Sequence, residues 1–200
     1  MKSQDPPSEQ LQSIVNLFTQ RRLKQALSES SQMLEKFPNS VILFNIVGAS
    51  NAGLREFDAA IESYKKALEI KPDYAEAYYN MGIALKDKGD PEAAIDSYKQ
   101  ALKIKPDYAE AYYNMGNALK DKGDPEAAID SYKQALKIKP DYAEAYNNMG
   151  VALKRVVFTK PSSGLQEVIS SMIDRKNNVN PVAAISLLKF EPVVKELFEK

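Results

Sequence analysis

The string DPEAAIDSYKQALKIKPDYAEAY begins at Asp90 and again, letter for letter, at Asp124. Residues 75–108 and 109–142 align without a gap and differ only where Ile83 becomes Asn117, so the period is 34 residues. Self-similarity at such a period marks an array, in which one supersecondary unit is copied because each copy must cover its neighbour's apolar face. The same grid runs forward over 143–154. It also runs backward over 41–74, where Phe44, Gly48, Ala60, Tyr64, Ala67 and Pro72 take the places of Tyr78, Gly82, Ala94, Tyr98, Ala101 and Pro106. A fainter copy at 7–40 keeps Leu17, Ala26 and Pro38. The chain thus divides into a disordered N-terminus (1–6), an array of units 7–40, 41–74, 75–108 and 109–142 with a half unit 143–154, and a C-terminal segment 155–200.

Within one unit Ala75, Tyr78, Met81, Gly82 and Leu85 recur at helical spacing, and Ala94, Ile95, Tyr98, Ala101 and Leu102 form a second stripe. Each unit is therefore expected to be two amphipathic helices. Asp107 followed by Glu110 reads as a capping box, Gly89 as a left-handed C-terminal residue, and Asp90-Pro91 as an N-cap with proline in the first turn. Gly82 and Ala94 are small where the two helices approach, whereas Tyr78 and Tyr98 are large enough to reach the adjacent unit. The fold class is all-α, a solenoid of antiparallel helix pairs.

These residues resemble the tetratricopeptide repeat (TPR) family: a 34-residue helix-turn-helix with an aromatic residue four before Gly, a Gly and Ala pair across the helices, and a closing Pro. The resemblance covers about residues 7–155 and extends to the TPR arrays fused to bacterial transferases. It implies a right-handed superhelix whose first helices line a concave groove used to bind peptides or protein partners.

On the face of the first helix that is free of the packing stripe, the third unit carries Glu76, Tyr79, Asn80, Ile83 and Asp87. The fourth carries Glu110, Tyr113, Asn114, Asn117 and Asp121, and the fifth Glu144, Asn147, Asn148 and Val151. Asn80, Asn114 and Asn148 thus recur once per repeat. Helices pack about 8–10 Å apart and an extended peptide rises about 3.3 Å per residue, so every third residue of a bound segment would meet an asparagine able to donate to its C=O and accept from its N–H. This resembles the asparagine ladder in TPR superhelices of O-linked N-acetylglucosamine transferases. In the second unit Ile46 takes the ladder position, with Asn45 beside it. The alternative is that these are solvated polar residues copied with the unit. Glu76, Glu110, Glu144, Asp87 and Asp121 favour a basic ligand, diluted by Lys86, Lys120 and Lys154. Chaperone-tail binding, which relies on Lys and Arg in the groove, is disfavoured by the glutamates. Tyr79 and Tyr113 either stack on ligand side chains or pack.

Lys plus Arg and Asp plus Glu are both 27, so no net field draws the chain to nucleic acid or an anionic membrane. Without Cys or His, thiol nucleophiles, imidazole triads and the usual zinc donors are excluded. Ser63 to Lys66 fits Ser-x-x-Lys, but its copy at Ser97 ends in Gln100, so it reads as chance. No catalytic residue, cofactor or metal is expected, and a cytoplasmic location is the default. After Lys154 the grid fails. Leu165, Val168, Ile169, Met172 and Ile173 form a helical stripe, and further helices begin near Pro181 and Pro192. They either cap the array or begin a further domain. The expected function is a scaffold for extended peptide segments. Alternatives are the substrate-recruiting part of a transferase, self-association through the open array ends or the C-terminal helices, and a less favoured RNA-binding repeat.

Overall fold

The computed structural model describes residues 5–153. The expected helices beyond Leu153 lie outside the described residues. The chain divides into two compact units, Met1–Pro106 and Asp107–Lys200. In the first, α1 (Ser8–Thr19), α2 (Leu23–Lys36), α3 (Val41–Gly53), α4 (Phe57–Ile70), α5 (Ala75–Lys88) and α6 (Pro91–Ile104) follow one another. Each packs on the next, and the alternate helices α1, α3 and α5 also touch in sequence. In the second, α7 (Ala109–Lys122), α8 (Pro125–Ile138) and α9 (Ala143–Leu153) repeat the arrangement. No strand occurs among the described residues.

The pairing of a helix with its partner is set by one contact. A Cβ placed on Gly82 would lie 2.6 Å from Cε1 of Tyr98, and one on Gly48 or Gly116 would meet Tyr64 or Tyr132 as closely. The missing side chain is the seat of the ring. Tyr98 and Tyr132 are completely buried there, a burial worth about 1.5–3 kcal/mol for a large apolar side chain. The expectation that these tyrosines reach the adjacent repeat holds in part: Tyr64 sits on Gly48 of its own pair and also shares a cluster with Ala84, Met81 and Leu85 of the following one. In the first repeat, which lacks the glycine, the volumes are exchanged. Ile14 stands at the Gly position and Ser30 at the Tyr position, both buried, and Ser30 Oγ donates back to the Ala26 carbonyl at 2.6 Å. Large on small has become small on large, so the interface closes either way.

The helix ends follow the sequence at the starts of α6 and α8 and depart from it at the start of α7. Asp90 and Asp124 accept from the N–H of Ala93 and Ala127 at 3.0 and 3.1 Å, with proline in the first turn, and Gly89 and Gly123 close α5 and α7 with φ of 98° and 92°. The capping box does not form. α7 begins at Ala109 with Tyr108 as its uncapped N-cap, so Asp107 lies one residue too early. In the equivalent turns Tyr74 N–H donates to Lys71 C=O and Tyr142 N–H to Lys139 C=O, each at 3.2 Å. The Pro-Asp pair therefore occupies the middle of a β-turn, where proline's fixed φ belongs, and the aspartate is not free to cap. Asp5 and Pro6, expected to be disordered, are placed. Ser40 Oγ donates to Asp5 Oδ1 at 2.5 Å while capping α3, and Pro6 is buried.

Candidate functional site

In the first unit the free faces of α3 and α5 meet through a hydrogen bond from Asn80 Nδ2 to Asn45 Oδ1, 3.0 Å long and 35 residues apart. One N–H and the Oδ1 of Asn80 remain for another partner. The equivalent pair one repeat earlier is apolar: Leu11 and Ile46 both pack on the cluster of Ile14, Leu17, Ala26 and Leu43. Ile46 in the ladder position thus does packing work in place of the amide bond. Tyr79 leans on Tyr98, ring centroids 6.1 Å apart and tilted by 50°, so its ring is already engaged. Glu76 and Asp87 are exposed, with Lys86 Nζ 2.8 Å from the Asp87 carboxylate. Ile83 is half-buried on the same face. The Tyr98 hydroxyl is buried and has no hydrogen-bond partner among the described residues. Burial, with Tyr79 and Asp87 adding to it, pushes that hydroxyl above its ordinary range, so it stays a proton donor.

In the second unit the repeat 109–142, which differs from 75–108 by one letter, solves this problem. Tyr132 OH donates to Asn117 Oδ1 at 2.8 Å, and the equivalent position in the repeat of Tyr98 is Ile83, which offers no side-chain acceptor. The same Oδ1 accepts from Asn148 Nδ2 at 2.8 Å, and Asn148 Nδ2 also donates to Tyr113 OH at 2.9 Å. Both Asn148 N–H groups are then used, which removes the donor half of the expected grip and leaves its Oδ1. The Tyr113 ring lies 6.0 Å from Tyr132 and 4.9 Å from Tyr142, so it packs rather than standing free for a ligand. Asn114 and Glu110 are half-buried and Glu144 is exposed. Asn147 turns its Oδ1 inward, buried and without a partner among the described residues. The structure thus joins Asn45 to Asn80, and Tyr113, Asn117 and Asn148 to one another. The residue that sequence reasoning did not place in the site is Tyr132; the signal was the single Ile83 to Asn117 difference, which marks where a buried hydroxyl needs an acceptor.

Among the described residues no three His, Cys, Asp or Glu side chains are grouped to hold a metal, and no helix is long and apolar enough to cross a membrane. The profile described as TPR repeat matches residues 56–89, 84–123 and 116–156, together just over half of the chain. The protein belongs to the TPR repeat family. "Probable UDP-N-acetylglucosamine--peptide N-acetylglucosaminyltransferase SEC" of Arabidopsis thaliana is 39% identical over 67 residues, 34% of this chain and 7% of that protein. A "Peroxisomal targeting signal receptor" of Kluyveromyces lactis is 39% identical over 56 residues, 28% of this chain and 10% of that one. The chain therefore spans a tenth or less of the length of these relatives. Among solved structures, a crystal structure of MamA superposes with a TM-score of 0.68 at 27% identity, covering 90% of this chain and 95% of that one.

Proposed function

We propose that the chain is a non-catalytic protein-interaction scaffold that holds an extended peptide segment of its partner against the first-helix faces, gripping the main chain through asparagine amides. The observation that carries this reading is the set of half-buried asparagines at repeat spacing, Asn80 in the first unit and Asn114 and Asn148 in the second. Asn80 keeps a donor and an acceptor beyond its bond to Asn45, and an amide with both matches the C=O and N–H that an extended chain presents along its edge. The similarity to a peroxisomal targeting signal receptor fits the same use. The exposed carboxylates of Glu76 and Glu144 favour partners with Lys or Arg.

The test is a peptide-array screen with the purified chain and with Asn80→Ala, Asn114→Ala and Asn148→Ala. Weaker binding across peptides of unrelated sequence supports main-chain capture; wild-type binding by all three variants removes the ladder. The transferase match favours a second reading, in which the captured segment is an acceptor substrate of a catalytic domain elsewhere in a longer protein.

A further inference from the structure

We infer that the fifth repeat is completed within this chain: residues 161–174 dock on α9 as its second helix, with Val168 over Gly150. Observations on α9 itself call for a cover. Gly150 stands where Gly48, Gly82 and Gly116 each seat a tyrosine ring, yet a Cβ built on it meets no described atom within 4 Å. Tyr146, Met149 and Leu153 are nevertheless buried, whereas their counterparts on α7, Tyr112, Met115 and Leu119, are half-buried although α8 and α9 both touch that helix. A helix with fewer described neighbours is more buried than one with more only if further atoms lie over it. The Oδ1 of Asn147, on the same helix, is also sealed from solvent without a partner among the described residues.

The sequence beyond Leu153 identifies the cover. α8 has Pro125 in its first turn and buries Ala128, Ile129, Tyr132, Ala135 and Leu136. Residues 161–174 repeat that order of sizes, two positions later than the 34-residue grid sets it: Pro161 first, then Gly164 small, Leu165 and Val168 large, Ser171 small and Met172 large. The two extra residues fall before Pro161, in the turn, where added length costs little. Two departures from α8 already have precedents in α2. Lys160 replaces the capping Asp124, and α2 too begins without a side-chain cap; Glu167 replaces Ser131, as the exposed Glu29 does in α2. Tethered to α9 by one turn, the segment is present at an effective concentration on the order of millimolar, which favours it over a second copy of the chain. Docking also removes the C-terminal end of the array as a surface for self-association.

Val168 and Ile173 lie on one apolar stripe of the sequence, and the register separates them: Val168 takes the place of the buried Tyr132, Ile173 that of the exposed Lys137. The test is amide hydrogen exchange of the full chain, read on α9. Val168→Lys is expected to speed exchange of the α9 amides about tenfold or more, because a charge cannot enter the Gly150 seat. Ile173→Lys is expected to leave α9 unchanged. Val168→Tyr, which restores the ring of the other repeats, is expected to slow α9 exchange and guards against a mere failure of the lysine variant to fold. Equal effects of the two lysine variants would overturn the register. Indifference of α9 to all three variants would overturn the docking and give the segment to a further domain. Exchange of α9 that slows as the protein concentration rises would overturn it in favour of a second copy.

Discussion

Tyr98 and Tyr132 occupy the same place in consecutive repeats, equally buried, yet of the two only Tyr132 has a hydrogen-bond acceptor among the described residues. Burying a hydroxyl without a partner costs about 1–3 kcal/mol, whereas a satisfied one contributes about 1 kcal/mol net. Tyr132→Phe is therefore expected to lower stability by about 1 kcal/mol, and Tyr98→Phe to leave it unchanged or raise it. Urea denaturation of the two variants reads the difference directly. Ile83→Asn, which copies the fourth repeat into the third, should raise stability by about the same amount. In the sequence this pair of residues was visible as an isolated letter change. Its meaning was not, because the tyrosine it serves lies 15 residues further on, on the next helix, where helical spacing gives no hint of contact. The exchange of Gly and Tyr for Ile14 and Ser30 escaped for a similar reason: each substitution alone looks like a lost motif, and only the two together conserve volume.

The elements themselves were legible in the sequence because apolar period and repeat length agree along the array, and turn chemistry agrees with both where α6 and α8 begin. The first helices mislead at one point. The Asp-x-x-Glu pattern before α7 has the form of a capping box, but the proline before Asp107 draws that aspartate into a turn. Asp124→Ala, which removes a formed cap, is expected to cost about 1 kcal/mol. Asp107→Ala should change stability by less than about 0.5 kcal/mol. Measured side by side, equal effects would restore the capping box. The turn between the helices of each pair shows a second contrast. The left-handed position is filled by Gly89 and Gly123 in the later repeats but by Arg21 and Arg55 in the earlier ones, with φ of 59° and 66°. A side chain in that region costs about 1–2 kcal/mol, partly offset by its lower unfolded entropy. Arg55→Gly is therefore expected to raise the unfolding midpoint, with a gain of about 0.5–1 kcal/mol.

Across the whole molecule, the buried tyrosines that seat the repeats also set its tolerance of alkali. Burial raises the folded-state pKa of Tyr64, Tyr98 and Tyr132 above the ordinary value near 10. The folded state thus retains protons that the unfolded chain releases. The contribution to stability is complete below about pH 10 and is lost as pH rises toward the folded-state values. Denaturation midpoints should stay flat between about pH 7 and pH 9 as far as these groups are concerned, and fall steeply above about pH 10; Tyr98→Phe should fall less.

The site was legible as a face and not as a mechanism. Periodicity placed Asn80, Asn114 and Asn148 on equivalent positions, but it could not tell which amide groups their neighbours consume. Asn45 and Tyr113 take part of that capacity, and Asn117 redirects the rest. The most direct test of the account follows the side-chain amide resonances of an isotope-labelled chain as a binding peptide from the array is added. Main-chain capture predicts shifts at the Asn80, Asn114 and Asn117 side-chain amides, with the second-helix surface around Lys99 and Lys133 unmoved. Shifts confined to that second-helix surface, with the asparagine amides unchanged, would contradict it.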